Sequence, residues 1–164
     1  MTTTGPELHT KAAQARAPKA LQSSTAHLLK RLAWAIKDRA YEAFESSGLN
    51  PAHHAVLALL EEEPRETRAM IADSLGYDRS HLVGLLDELE EQGLIERRRD
   101  PSDRRRHLVT LTPEGRKALT KLRAISKRLE DEILAPLDAA ERETLHGLLL
   151  RLVSHHDSRY ATDE

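Results

Sequence analysis

Residues 97–106 read Arg97-Arg98-Arg99-Asp100-Pro101-Ser102-Asp103-Arg104-Arg105-Arg106. Six arginines and two aspartates give this stretch a local charge of +4, inside a chain whose formal net charge is −2. Just before it a helical pattern stops at Gly93, and Leu94-Ile95-Glu96-Arg97 leads into the basic run. Just after it, His107–Thr112 alternates apolar and polar residues as a strand does. The arrangement predicts two antiparallel strands, 94–97 and 107–112, around an arginine-rich tip bent at Asp100-Pro101.

The helix upstream of this hairpin spans 79–92. Leu82, Leu85, Leu86 and Leu89 follow the i, i+3, i+4, i+7 spacing of one buried stripe, and Asp78 caps its start. A shorter helix precedes it, capped by Thr67, with Ile71, Ala72 and Leu75 inward and Gly76-Tyr77 as the turn. Two helices joined by a short glycine turn make a helix-turn-helix, here residues 67–93. In such a pair the start of the second helix enters the major groove of DNA, which singles out Arg79, Ser80 and His81. The alternative is an ordinary polar helix surface.

Further upstream, Leu28, Leu32, Ile36, Ala40 and Ala43 predict one long helix over 21–46. Trp34 and Tyr41, seven residues apart, share a second face of it. Gly48 ends that helix, and Asn50-Pro51 opens another that runs to about Glu63, before Pro64. Downstream, Thr112-Pro113-Glu114 starts a helix reaching about Ala135, and after Pro136 a last helix is capped by Asp138. Residues 1–19, without periodicity, read as a disordered, mildly basic tail. The fold class expected is mainly α with a small β-hairpin (α+β).

Composition narrows the chemistry. The chain has 164 residues and no cysteine, which removes disulfides and thiolate chemistry. No apolar run reaches a membrane span and no signal peptide is visible, so a cytoplasmic location is expected. Acid pairs, metal clusters, nucleophile elbows and phosphate-binding glycine loops are lacking, so neither an enzyme nor a cofactor is expected. Asp73, Asp78, Asp87 and Glu88 read as solvated charges or as braces for the arginines. In the wing, Asp103 precedes Arg105 by two residues and is placed to orient its guanidinium, and an arginine so held suits a narrow minor groove. Arg97, Arg98, Arg99, Arg104 and Arg106 are candidates for phosphate contacts or for solvent. Thr67 and Arg68 complete the expected DNA contacts.

The stretches Leu75–Leu82, Leu86–Arg97, Asp100–Arg106 and Val109–Gly115 together resemble the MarR family of bacterial winged-helix transcription regulators. The Asp-Pro-x-Asp-x-Arg wing followed by Leu-Thr-x-x-Gly is specific to it. The resemblance extends over about residues 21–160. It implies a winged helix-turn-helix DNA-binding domain over 49–113, with the wing at 94–112, and a helical dimerisation region formed by 20–48 and 114–160. It also implies an obligate homodimer on a pseudo-palindromic operator of double-stranded DNA, released by a small aromatic or anionic effector. On this resemblance Arg105 is the minor-groove arginine and Asp103 its brace, and Ser80 and His81 are recognition-helix contacts. Gly84 departs from the pattern: relatives carry a longer polar or basic residue there.

Sensing is less defined. His54 stands where relatives show an aromatic and is expected to face the cleft under the dimer arm. Trp34, Tyr41 and His54 are candidates for an effector pocket, with Arg31 or Arg106 as its cation; dimer packing is the competing reading of Trp34 and Tyr41. Adjacent histidines such as His53-His54 and His155-His156 point about 100° apart on a helix and seldom share one metal, so no metal site is expected. Two alternatives stay open: a winged-helix regulator without an effector, or a module that binds protein.

Overall fold

The computed structural model describes residues 16–63 and 66–161. Most of the expected tail, and Pro64, lie outside them. The elements are α1 (Lys19–Gln22), α2 (Thr25–Glu45), α3 (Pro51–Glu62), β1 (Glu66–Thr67), α4 (Arg68–Leu75), α5 (Arg79–Glu91), β2 (Ile95–Arg99), β3 (His107–Leu111), α6 (Pro113–Ile133) and α7 (Ala139–His156). A 3-10 turn follows over Ser158–Tyr160. The chain divides into two compact units, one up to Asp38 and one from Arg39 onward. Among the described residues no helix is long and apolar enough to cross a membrane.

In the first unit, the single helix expected over 21–46 is broken at Ser23-Ser24. Ser23 Oγ donates to the carbonyls of Lys19 and Ala20, and the N–H of His27 donates to Ser24 Oγ. Serine side chains compete with the helical backbone in this way, so one helix ends and the next is capped at the same pair. Along α2 the charged ends of Lys30 and Arg31 lie 4.8 and 5.7 Å from the centre of the Trp34 ring.

In the second unit, one largely aliphatic core joins the end of α2 with α3, α4, α5, the hairpin and α6. Phe44, Val56, Leu57 and Leu60 meet Ile71, the leucine stripe of α5, Ile95, Val109, Leu119 and Leu122, all buried. The caps read from the sequence are present. Asn50 Oδ1 accepts from the N–H groups of Ala52 and His53, Asp78 caps α5 and Thr112 caps α6. Gly76 and Gly93 take φ values of 66° and 70°, the left-handed geometry that ends α4 and α5 without a Cβ penalty.

The sheet has three strands in the order β1-β3-β2, all antiparallel. The hairpin pairs Ile95 with Leu111, Arg97 with Val109 and Arg99 with His107. Two features were not expected. Glu66–Thr67 adds a two-residue strand on β3, too short to carry an alternating pattern. The 3-10 turn places the Arg159 guanidinium against Gly76, where a Cβ would overlap it.

The base of the hairpin is closed by backbone. The Thr112 N–H donates to the Leu94 carbonyl at 3.1 Å, and Thr112 Oγ1 donates to the Gly93 carbonyl at 2.7 Å. Gly115 sits directly against this closure: a methyl there would overlap the Leu94 carbonyl oxygen and come within 2.7 Å of Leu111 Cδ1. Gly115→Ala is therefore expected to lose about 1–3 kcal/mol of stability, the usual range for overpacking. Urea unfolding reads this as a lower midpoint; an unchanged midpoint would show that the wing base yields freely.

Candidate nucleic-acid interface

The first turns of α4 and α5 and the wing enclose one groove of about 740 Å³. Thr67 at the end of β1, Arg68 and Met70 of α4, Arg79 of α5, and Arg97, Arg105, Arg106 and His107 of the hairpin all line it. Six of the residues named from sequence thus come to one concave surface. Ser80, His81, Asp103 and Arg104 border it in sequence but are not among its lining. Met70 and His107 were missed. Met70 reads as a hydrophobic residue at the start of an amphipathic helix, yet it is 51 % exposed, and His107 reads as a strand residue.

The start of α5 is organised by Asp78. Its Oδ1 accepts the N–H groups of Ser80 and His81 at 2.9 and 3.2 Å and also the Ser80 hydroxyl. These bonds, the hydroxyl first, hold the Asp78 carboxyl below its usual pKa. The Ser80 proton is thereby committed to the cap, leaving its oxygen to accept. Arg79 and His81 are exposed, and the His81 ring meets Tyr77 edge-on at 6.0 Å.

The six wing arginines differ in their partners. Arg97 is two residues from the buried Ile95 and therefore lies on the same, inward face of the hairpin. Its guanidinium pairs with Asp87 and with Glu90, the latter at 3.1 Å, and its N–H donates to Glu90 Oε1. Arg97 thus clamps the wing to α5, and of the groove's arginines it is one whose charge is already paired. Arg98 pairs with Glu96 at 3.0 Å. Arg106 pairs with Asp103 at 3.4 Å. Among the described residues, Arg99, Arg104 and Arg105, like Arg68 and Arg79, have no carboxylate partner.

Asp103 also departs from expectation. Its Oδ1 accepts the backbone N–H of Arg105 at 3.0 Å, and its other oxygen faces Arg106. It braces the Arg105 backbone and the Arg106 side chain, not the Arg105 guanidinium, because a side chain two residues back in a tight turn reaches the main chain first. Asp100 accepts from Ser102 Oγ at 2.6 Å and from its N–H at 2.8 Å, which shapes the tip and lowers the Asp100 pKa.

The expected effector residues do not form one site within either unit. In the first, Arg31 and Trp34 line a shallow groove with Lys37 and Asp38. In the second, Tyr41 is exposed, while His54 packs between the Phe44 ring and Ser126 Oγ at 3.3 Å. Arg106 belongs to the wing groove. A separate groove of about 520 Å³ lies between α2 and α6, with Arg39 and Arg128 opposed by Glu42 and Glu132. No cluster of three metal-binding side chains occurs among the described residues.

Known proteins share this arrangement. The profile of the MarR family matches residues 47–106. A Thauera aromatica protein described as a transcriptional regulatory protein for the hcr operon is 34 % identical over 126 residues, 77 % of this chain and 76 % of its own. The repressor CouR bound to a 23-mer DNA duplex superposes with a TM-score of 0.77 at 31 % identity, covering 85 % of this chain and 99 % of CouR. CouR from Rhodococcus jostii RHA1 with p-coumaroyl-CoA gives 0.72 at 28 %, covering 90 % and 99 %. The PcaV regulator of Streptomyces coelicolor, in complex with its natural ligand, gives 0.69 at 28 %, covering 88 % and 100 %.

Burial holds the pKa of His53 and of His54 below the usual 6.5, with the Arg123 charge adding to the effect on His54 and Glu88 opposing it on His53. Unfolded, both rings take up protons near the usual value; folded, only at lower pH. Between those points the unfolded chain binds more protons, so stability falls as pH falls. The urea midpoint is expected to drop from about pH 7.5 to about pH 5.5, less steeply in a His53→Gln/His54→Gln variant. A level midpoint would contradict this.

Proposed function

The chain belongs to the MarR family of transcriptional regulators, and within it we propose a homodimeric repressor that binds a pseudo-palindromic operator and leaves it when a small aromatic anion binds. The observation that carries the DNA reading is the groove in which Arg68, Arg79 and Arg105 stand, among the described residues, without carboxylate partners. An unpaired guanidinium gives phosphates or base edges its full charge, whereas one already paired would have to break a bond first.

Arg79 and His81 are the side chains of α5 offered to base edges, and Ser80 adds an acceptor. Arg105 is the wing residue offered to the minor groove, placed by the Asp103 bond to its backbone. Thr67, Arg68, Arg104 and Arg106 supply phosphate contacts. Residues 49–113 are the DNA-binding domain in this reading, and 20–48 with 114–160 the dimerisation region. Support for the dimer comes from apolar faces without partners in one chain. α7 has no buried residue, and Leu28, at 52 % exposure, and Leu152, at 49 %, stand in solvent. Exposed leucines in such rows mark an interaction surface. CouR binds p-coumaroyl-CoA, which supports an aromatic acyl group as effector. Arg31, Trp34, Tyr41 and His54 remain the proposed contacts for it.

The test is fluorescence anisotropy on a duplex spanning the region upstream of the protein's own gene, against a scrambled duplex. Preference for its own region is expected, with affinity falling steeply in salt. Arg105→Ala should weaken specific binding on the order of tenfold or more. Equal binding to both duplexes would sink the repressor reading. For the effector, p-coumaroyl-CoA and free p-coumarate are titrated into the complex; release by neither would remove the aromatic class.

A further inference from the structure

Among the described residues His53 is the only polar side chain in the buried core, at 2 % exposure. It touches neither the groove nor any cavity above. A buried imidazole needs a partner at each nitrogen. Nδ1 accepts the backbone N–H of Asn50 at 3.2 Å, closing the capping box that starts α3. A nitrogen that accepts carries no proton, so the proton of the neutral ring is on Nε2. Nε2 lies 2.9 Å from Glu88 Oε2, on α5, a close polar contact off the line of a hydrogen bond. The ring spans from the α3 backbone to a carboxylate of the helix that presents Arg79 and His81.

Where Glu88 leaves α5 gives this contact its meaning. Successive residues turn by about 100°, so with the leucine stripe facing inward Glu88 and His81 leave one flank and Asp87 and Glu90 the other. Arg97 grips Asp87 and Glu90. His53 meets Glu88. The helix is thus held on both flanks. The leucine stripe cannot do this alone, since apolar burial is non-directional and tolerates a few degrees of roll. The charged or titratable groups facing His53 are Glu88 and His81, both on α5.

We propose that His53 is a positioning residue for DNA recognition: the Asn50–His53–Glu88 chain sets the roll of α5 and so the direction in which His81 and Arg79 reach the DNA. The inference rests on α5 being the helix that reads DNA.

His53→Leu strips a buried cap and can unfold the chain, so the test is placed on Glu88, whose side chain is 59 % exposed. Dissociation constants of the full-length protein are measured for the duplex upstream of its own gene and for a scrambled duplex. Glu88→Ala is expected to weaken the first on the order of tenfold, within the range of couplings between contacting residues, and to leave the second unweakened. Glu88→Gln, which keeps the side chain's length and an oxygen within reach of Nε2, should bind like the wild type. Removing a negative charge beside DNA would by itself tighten binding, so equal or tighter specific binding by Glu88→Ala overturns the proposal. So does equal loss in the Ala and Gln variants. If Arg79→Ala leaves specific binding unchanged, the reading of α5 fails instead. If Arg79→Ala weakens it and Glu88→Ala does not, this inference alone fails.

Discussion

The grip of Asp87 and Glu90 on Arg97 is the interaction on which the basic surface depends. It joins the hairpin to α5 through a charged side chain whose stem lies on the inward face of β2. Losing either carboxylate would leave a partly buried guanidinium under-compensated, which is why pairs of this kind are costly to break even where they add little net stability. With the hairpin anchored there, Arg105 and Arg106 are carried to the same groove as Arg79 and Arg68. Without it, the hairpin would keep its core contacts through Ile95 and Val109 and the backbone closure at Leu94 and Thr112, but lose its charged link to α5.

Charge placement, and not charge total, makes the groove. The chain is slightly acidic overall. Its carboxylates near the groove are spent on internal tasks: Asp78 caps α5, Asp100 and Asp103 shape the tip, and Glu96 holds Arg98. Each removes a negative charge from free competition with phosphate. Among the described residues, what remains outward is a small set of guanidinium groups without carboxylate partners. A guanidinium without a carboxylate partner keeps its full charge for phosphates or base edges.

The two neighbouring histidines show how far a pattern reaches. Asn50-Pro51-Ala52-His53 is legible as a helix start, with His53 at the position where Glu or Gln closes a capping box. Its second partner, Glu88, is thirty-five residues away and no local rule connects them. His54 points elsewhere, to Ser126 on α6. One step along a helix turns a side chain by about 100°, so adjacent residues of one type end in different environments.

Features that depend on neighbours in the chain were legible in its residues alone. Helix starts followed from Asn50, Thr67, Asp78, Thr112 and Asp138, helix ends from Gly48, Gly76 and Gly93, and the hairpin from alternation around Asp100-Pro101. The leucine stripe of α5 and the family likeness were equally plain, since periodicity and caps are short-range. Tertiary structure decided which arginines are free. Arg97 and Arg105 look alike in sequence, but strand parity turns one onto α5 and the turn exposes the other. It also decided that Asp103 braces a backbone, that Glu66–Thr67 joins the sheet, that Arg159 covers Gly76, and that the proposed effector residues form no single pocket within either unit. These outcomes rest on contacts between distant segments, and a side chain's partner there is set by packing geometry that no local pattern encodes.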